Sequence, residues 1–267
     1  MDNRPIGVFD SGLGGLTVVK ELIHLLPKES IIYFGDTGRV PYGTRGRDTV
    51  IKYAISDINF LMTKNVKAIV IACGTASSIA LSSVVPKYDI PIIGVVSPTA
   101  SAAAAATRNK KVGIIGTAGT ISSGAYVKEL KSIDPEIEPF SMPCPLFVPI
   151  VENGYTDGEV ARLVATEYLE PLKKKGVDTI ILGCTHYPLL KGVISDIMGG
   201  DTVLVDSGRP VAERVASLLY ENGMETDGVA QYQYFVSDTV ENFASLGGLF
   251  MQQEISNSVS RIDIEKY

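Results

Sequence analysis

The chain has 267 residues, 45% hydrophobic and 20% charged, with a formal net charge of −6. This composition excludes a disordered chain and is that expected of a soluble globular protein with a substantial core. An acidic balance with no clustered Lys/Arg stripe excludes a nucleic-acid scaffold.

No apolar stretch reaches membrane-spanning length, and the alanine run 102–106 is followed by Arg108, Lys110 and Lys111. The opening MDNRPIGVFD lacks the charged-then-apolar pattern of a signal peptide. With three cysteines and no Cys-x-x-Cys pair, the expected setting is a reducing cytoplasm.

Strand and helix patterns alternate from the start. PIGVFD (5–10) reads as a strand, SGLGG as a turn, and an amphipathic stretch follows to Pro27. SIIYFG (30–35) is a second strand, leading through the loop DTGRVPYGTRG to a helix over 47–63 with Ile51, Ile55, Ile58 and Leu61 on one face. A strand at 67–72, a helix from Thr75 toward Val85 and a strand at 91–96 come next. KVGIIGTAGTISS (111–123) restarts the pattern, and the Pro-rich SMPCPLFVPIVENG (141–154) interrupts it before a helix over 156–175. The tail reads as a helix from about Leu189, a strand at 202–206, a helix at 209–222, a strand at 231–237 and a helix at 239–251.

One phrase occurs twice. KNVKAIVIACGT (64–75) aligns without gaps on KGVDTIILGCTH (175–186), pairing Lys64, Val66, Ile69 and Cys73 with Lys175, Val177, Ile180 and Cys184. IGVFDSGLGGLT (6–17) and the 111–123 segment form a second match, with Gly7 and Gly113 separated by 106 residues and the two cysteines by 111. Two matches at nearly one offset indicate an internal duplication. The expected fold is α/β: two pseudo-symmetric domains of mostly parallel sheet flanked by helices, with an active site at their interface. The expected boundaries are 1–97 plus 208–267 for the first domain and 98–207 for the second. Asp10, Asp36, Cys73, Thr117 and Cys184 all fall at carboxyl ends of strands, where such sheets bind ligands.

A thiol at a helix start lies in the field of unpaired N–H groups, which draws its pKa from about 8.5 toward neutrality. Such a thiolate serves as nucleophile, metal ligand, redox centre or proton-transfer base. Zinc needs further ligands, and His24 and His186 are the chain's two histidines. Nucleophilic catalysis occupies one cysteine and leaves its copy idle. Proton transfer employs both, because inverting a stereocentre removes a proton from one face and delivers one to the other.

The segments GVFDSGLGGLTVV, FGDTGRVPYG, IACGTAS, PCPLFVPIVENG and ILGCTHYPLL together resemble the glutamate racemases, in that family's order and over nearly the whole chain. The resemblance implies cofactor-independent interconversion of L- and D-glutamate, supplying D-glutamate for peptidoglycan, with no metal, membrane or nucleic-acid partner. A homodimer is left open. By position, Cys73 and Cys184 match the catalytic acid/base pair, Asp10 and His186 the groups assisting them, and Asp36 and Glu152 further acidic auxiliaries. Ser11, Pro41, Tyr42, Gly43, Thr75, Thr117 and Thr185 match positions that bind the substrate's carboxylates and ammonium, with Asp10, Gly74 and His186 lining the same site. The resemblance assigns D-glutamate to Cys73 and L-glutamate to Cys184. One departure is Gly74, where the family usually carries asparagine. A lost hydrogen bond to a charged group is worth about 1.5–3 kcal/mol, so the expectation is a weakened or altered racemase. An aspartate racemase and a non-catalytic amino-acid-binding protein are the competing readings.

Plainer roles exist for several of these residues. Asp10 and Thr117 suit helix caps, Asp36 and Glu152 suit turns, His186 suits a helix start, and Cys144 between two prolines suits packing. The glycines at 12, 14 and 15 fall short of a dinucleotide fingerprint, because Thr17 stands where its third glycine belongs.

Overall fold

Short apolar runs closed by turn residues make strands buried on both faces, which parallel sheets covered by helices require. The computed structural model describes residues 1–251 and 259–267. Its first sheet contains β1 (Ile6–Asp10), β2 (Ile31–Gly35), β3 (Ala68–Ile71), β4 (Ile92–Gly94), β9 (Tyr232–Val236) and β10 (Val259–Arg261), ordered β10-β9-β2-β1-β3-β4. The second contains β5 (Lys111–Gly116), β6 (Glu138–Pro143), β7 (Thr179–Leu182) and β8 (Val203–Val205), ordered β6-β5-β7-β8. Every pairing among the described residues is parallel.

The duplication reaches to the register. The order β2-β1-β3-β4 recurs as β6-β5-β7-β8. Gly7 lies opposite Ile69, and Gly113 lies opposite Ile180. Both glycines face the last turn of an equivalent helix, α2 (Arg47–Met62) or α8 (Gly158–Lys175). A Cβ on Gly7 would stand 3.2 Å from Leu61 and Val66; one on Gly113 would stand 3.3 Å from Leu172 and 3.5 Å from Val177. Each half thus has a bare strand position where its helix descends onto the sheet, and a side chain there would make the facing tips yield by a few tenths of an ångström.

The other helices are α1 (Leu16–Leu25), α3 (Gly74–Val84), α4 (Val96–Ala106), α5 (Ala118–Ser122), α6 (Ala125–Ile133), α7 (Phe147–Glu152), α9 (Lys191–Met198), α10 (Gly208–Glu221) and α11 (Val240–Met251). Several differ from the sequence reading. The strand expected at 91–96 stops at Gly94, and the alanine run belongs to α4. The Pro-rich segment holds edge strand β6 and helix α7. The buried stripe of α2 is Val50, Ala54, Asp57, Ile58 and Leu61, with Ile51 and Ile55 at its margin. A 3-10 turn, Tyr187–Leu190, precedes α9. No helix among the described residues is long and apolar enough to cross a membrane.

One buried ion pair ties the segments at Asp2 and Met224 to the first sheet. Lys67, fully buried before β3, places its ammonium 2.6 Å from Glu29 and donates to the carbonyls of Asp2 and Met224 at 2.7 Å each. Removing one partner strands a buried charge. Lys67→Ala is expected to lower unfolding free energy by about 3–5 kcal/mol in chemical denaturation, and Lys67→Met/Glu29→Met by clearly less.

Candidate active site

Parallel strands end on one side, so the loops after β1, β3, β5 and β7 converge. β1 ends at Asp10, which is wholly buried. Its Oδ2 accepts the Gly12 N–H at 2.9 Å, and its Oδ1 accepts the Thr185 hydroxyl at 3.3 Å from the other sheet. Burial raises the Asp10 pKa; His186 and the Gly12 N–H oppose that rise. Gly14, in the following turn, lies so near the second cysteine loop that a Cβ would stand 2.6 Å from His186 Nδ1.

Cys73 is the N-cap of α3. Its Sγ accepts the Ala76 N–H at 3.4 Å and lies 3.5 Å from Ser11 Oγ. The expectation that a helix start draws this thiol toward neutrality is not met: the pKa is pushed up to about 12. Complete burial is the largest cause and the charge of Asp10 the next, and together they outweigh Ala76 and Ser11.

Cys184 follows β7 and stands 3.9 Å from His186 Nδ1. The opposite ring nitrogen of His186, Nε2, lies 3.0 Å from Glu152 Oε1 at the end of α7. Burial alone would lower the histidine pKa, but Cys184, Glu152 and Asp10 carry it up to about 10. Phe250 of α11 meets the ring edge-on at 5.4 Å between centroids. Glu152 therefore acts on the histidine and makes no hydrogen bond to either thiol among the described residues.

Between the cysteine loops lies a hydroxyl cluster. Thr75 Oγ1 is 2.9 Å from Thr117 Oγ1 and 3.3 Å from Thr120 Oγ1; Thr117 also caps α5. Gly43 abuts this cluster, where a Cβ would stand 2.6 Å from that of Thr117. Thr120 was not anticipated, although it lies in the same GTAGT stretch as Thr117. At Gly74 a Cβ would collide with the backbone carbonyl of Gly183, which cannot swing aside. An asparagine there, usual in the resembled family, does not fit this backbone, so Gly74 differs in spacing as well as in losing an amide.

Asp36 adjoins Asp10 through its backbone, whose N–H donates to the Asp10 carbonyl at 3.0 Å, while its carboxylate bonds to Arg39, Tyr42 and Ser237 in a buried group that also includes Asp57. Tyr42 reaches this group with its hydroxyl, while Pro41 and Gly43 flank it on the loop after β2. Asp57 was not anticipated, because the face read from the sequence was that of Ile51, Ile55, Ile58 and Leu61. Cys144 is buried, with its thiol 3.6 Å from the Met142 carbonyl. Among the described residues no group of three or more His, Cys, Asp or Glu is arranged to hold a metal ion.

Two sheets of equivalent strand order, each with a cysteine just past the end of an equivalent strand, define an α/β protein built from a repeated half. The chain belongs to the Asp/Glu/hydantoin racemase family, whose model matches residues 6–215. It is 47% identical over 264 residues to a glutamate racemase of Geobacter metallireducens, covering 98% of this chain and 97% of that one. Its structure matches glutamate racemase of Francisella tularensis in complex with D-glutamate, with a TM-score of 0.94, 42% identity and full coverage of both chains. A glutamate racemase isoform of Bacillus anthracis matches with a TM-score of 0.95 and 38% identity over 98% of each chain.

The histidine charge has a stability consequence. A pKa raised from 6.5 to about 10 means that folding favours the protonated ring. Its contribution is fully present below pH 6.5 and is lost as pH rises through about 10. Denaturation of the wild type and His186→Asn across pH should show the wild type more stable by a few kcal/mol at the acid end, with the gap closing toward alkaline pH.

Proposed function

We propose that the chain racemises glutamate without a cofactor, and that Cys73 and Cys184 are its two acid/base groups. The observation that carries this reading is the delivery of both thiols, from equivalent positions of a duplicated sheet, to one seam where Gly74 beside Cys73 packs on Gly183 beside Cys184. The sheets also support a division into domains at 1–97 plus 208–267 and at 98–207, with the substrate between them. Three unpaired cysteines suit a reducing cytoplasm.

In the proposed mechanism one cysteine enters as thiolate and the other as thiol. The thiolate removes the α-proton, and the C–H electron pair passes into the α-carboxylate, leaving a carbanion. The opposite thiol delivers its proton to the other face and becomes the thiolate. Cys73 acts on D-glutamate, beside Asp10 and Ser11. Cys184 acts on L-glutamate, beside His186, which Glu152 orients. The positive α-ammonium of the substrate counters the burial that holds the Cys73 thiol neutral. Thr75, Thr117, Thr185 and the 41–43 loop supply donors and acceptors for its carboxylates and ammonium, offsetting carbanion charge. The D-glutamate formed supplies peptidoglycan.

Separate incubation of L-glutamate, D-glutamate and L-aspartate in deuterated water tests this. Both glutamates should gain α-deuterium and lose optical activity, and aspartate should do neither. Exchange with aspartate alone would move the substrate; glutamate binding without exchange would favour a binding protein.

A further inference from the structure

Asp36 and Asp57 are both fully buried, 21 positions apart in sequence, and they meet at one hydroxyl. Tyr42 Oη contacts Asp36 Oδ2 and lies 2.8 Å from Asp57 Oδ2. A phenol has one proton, so it donates to one carboxyl only. The second contact is a hydrogen bond only if that carboxyl carries a proton and donates back. Arg39 does not separate the two, giving Nε to Asp36 at 2.6 Å and Nη2 to Asp57 at 2.8 Å. Ser237 does. Its hydroxyl donates to Asp36 Oδ1 at 2.8 Å, while its oxygen accepts the Gly38 N–H at 2.8 Å. Asp36 thus receives three side-chain donors; Asp57 receives one and is left facing the phenol oxygen.

We propose that Asp57 holds a proton and, with Asp36, Arg39 and Tyr42, forms a neutral strut that positions the 41–43 loop against substrate. The chain of donors runs from Asp57 Oδ2 to Tyr42 Oη and from Tyr42 to Asp36 Oδ2. One guanidinium balances one carboxylate, so the group is buried without net charge. Burial and the charge of Asp36 both push the Asp57 pKa up, in agreement with the proton count. Arg39 also lies 4.3 Å over the Tyr53 ring, whose centroid is 5.3 Å from that of Tyr42. With the Tyr42 ring held on these sides, the adjoining Gly43 backbone is fixed against Thr117, and its carbonyl faces Gly119. Asp57 is a positioning residue, and the inference rests on the reading of the 41–43 loop as substrate-binding.

Asparagine reproduces a protonated aspartic acid here, because its amide donates to Tyr42 while its oxygen accepts from Arg39. The experiment compares wild type, Asp57→Asn and Asp57→Leu, using racemisation kinetics in both directions and infrared spectra at neutral pH. Asp57→Leu is expected to raise the KM for glutamate about tenfold with a much smaller change in kcat, and Asp57→Asn to restore both to within about twofold of wild type. The wild-type spectrum should contain a protonated carboxylic acid band that Asp57→Asn removes. An Asp57→Asn variant as impaired as Asp57→Leu, or an unchanged band, would overturn the placement of the proton. An unaltered KM in Asp57→Leu would overturn the positioning role. Failure of the wild type to racemise glutamate would instead overturn the proposed function, and the infrared band would still test the strut. Should Asp57→Leu not fold, Asp57→Asn and the spectra decide.

Discussion

Gly74 meets the carbonyl of Gly183 where a side chain would collide with it, and the spacing of the two thiol loops follows from that contact. The first residue of α3 and the last residue before Cys184 press backbone to backbone. This brings together groups that neither sheet holds alone: Thr185 reaches Asp10, Thr75 reaches Thr117 and Thr120, and Gly14 packs under His186. The site is a seam between two copies of one fold. The copies share strand order and the Gly7–Ile69 and Gly113–Ile180 register.

The electrostatics of the seam are unequal across that symmetry. Cys73 lies beside buried Asp10 and is held protonated, whereas Cys184 lies beside a histidine that Glu152 helps keep charged. Equivalent positions in the repeat explain the shared fold, and different neighbours explain the different chemistry: Thr75 occupies in one copy the place that His186 occupies in the other. The two thiols thus face different neighbours within one repeated frame, Asp10 and Ser11 beside Cys73 and His186 beside Cys184.

The duplication was legible in the sequence because both cysteine strands and both helix-bearing glycines recur at nearly one offset. Cys73 and Cys184 stood out through that repeat and Asp10 through its strand end, whereas His186, which has no histidine counterpart in the other copy, came from the family resemblance. Elements containing proline were not. Pro98 lies in the first turn of α4, where no helical partner for its missing N–H is needed, and the valines before it read as strand. Pro139 and Pro143 fit β6 because it is an edge strand, with one side free of ladder bonds. The joining of Asp36, Tyr42 and Asp57 arises from packing α2 onto the first sheet, which no local spacing reports. Asp36 read as a companion of the thiols; its backbone N–H bonds to Asp10, and its carboxylate bonds to the loop network.

The account stands on two thiols acting from opposite faces. The direct measurement is racemisation by Cys73→Ser and Cys184→Ser, each assayed from L- and from D-glutamate. Loss of an acid/base group is expected to lower kcat by about 10²–10⁴-fold in both directions for both variants. Near wild-type racemisation by either one would contradict the two-thiol mechanism.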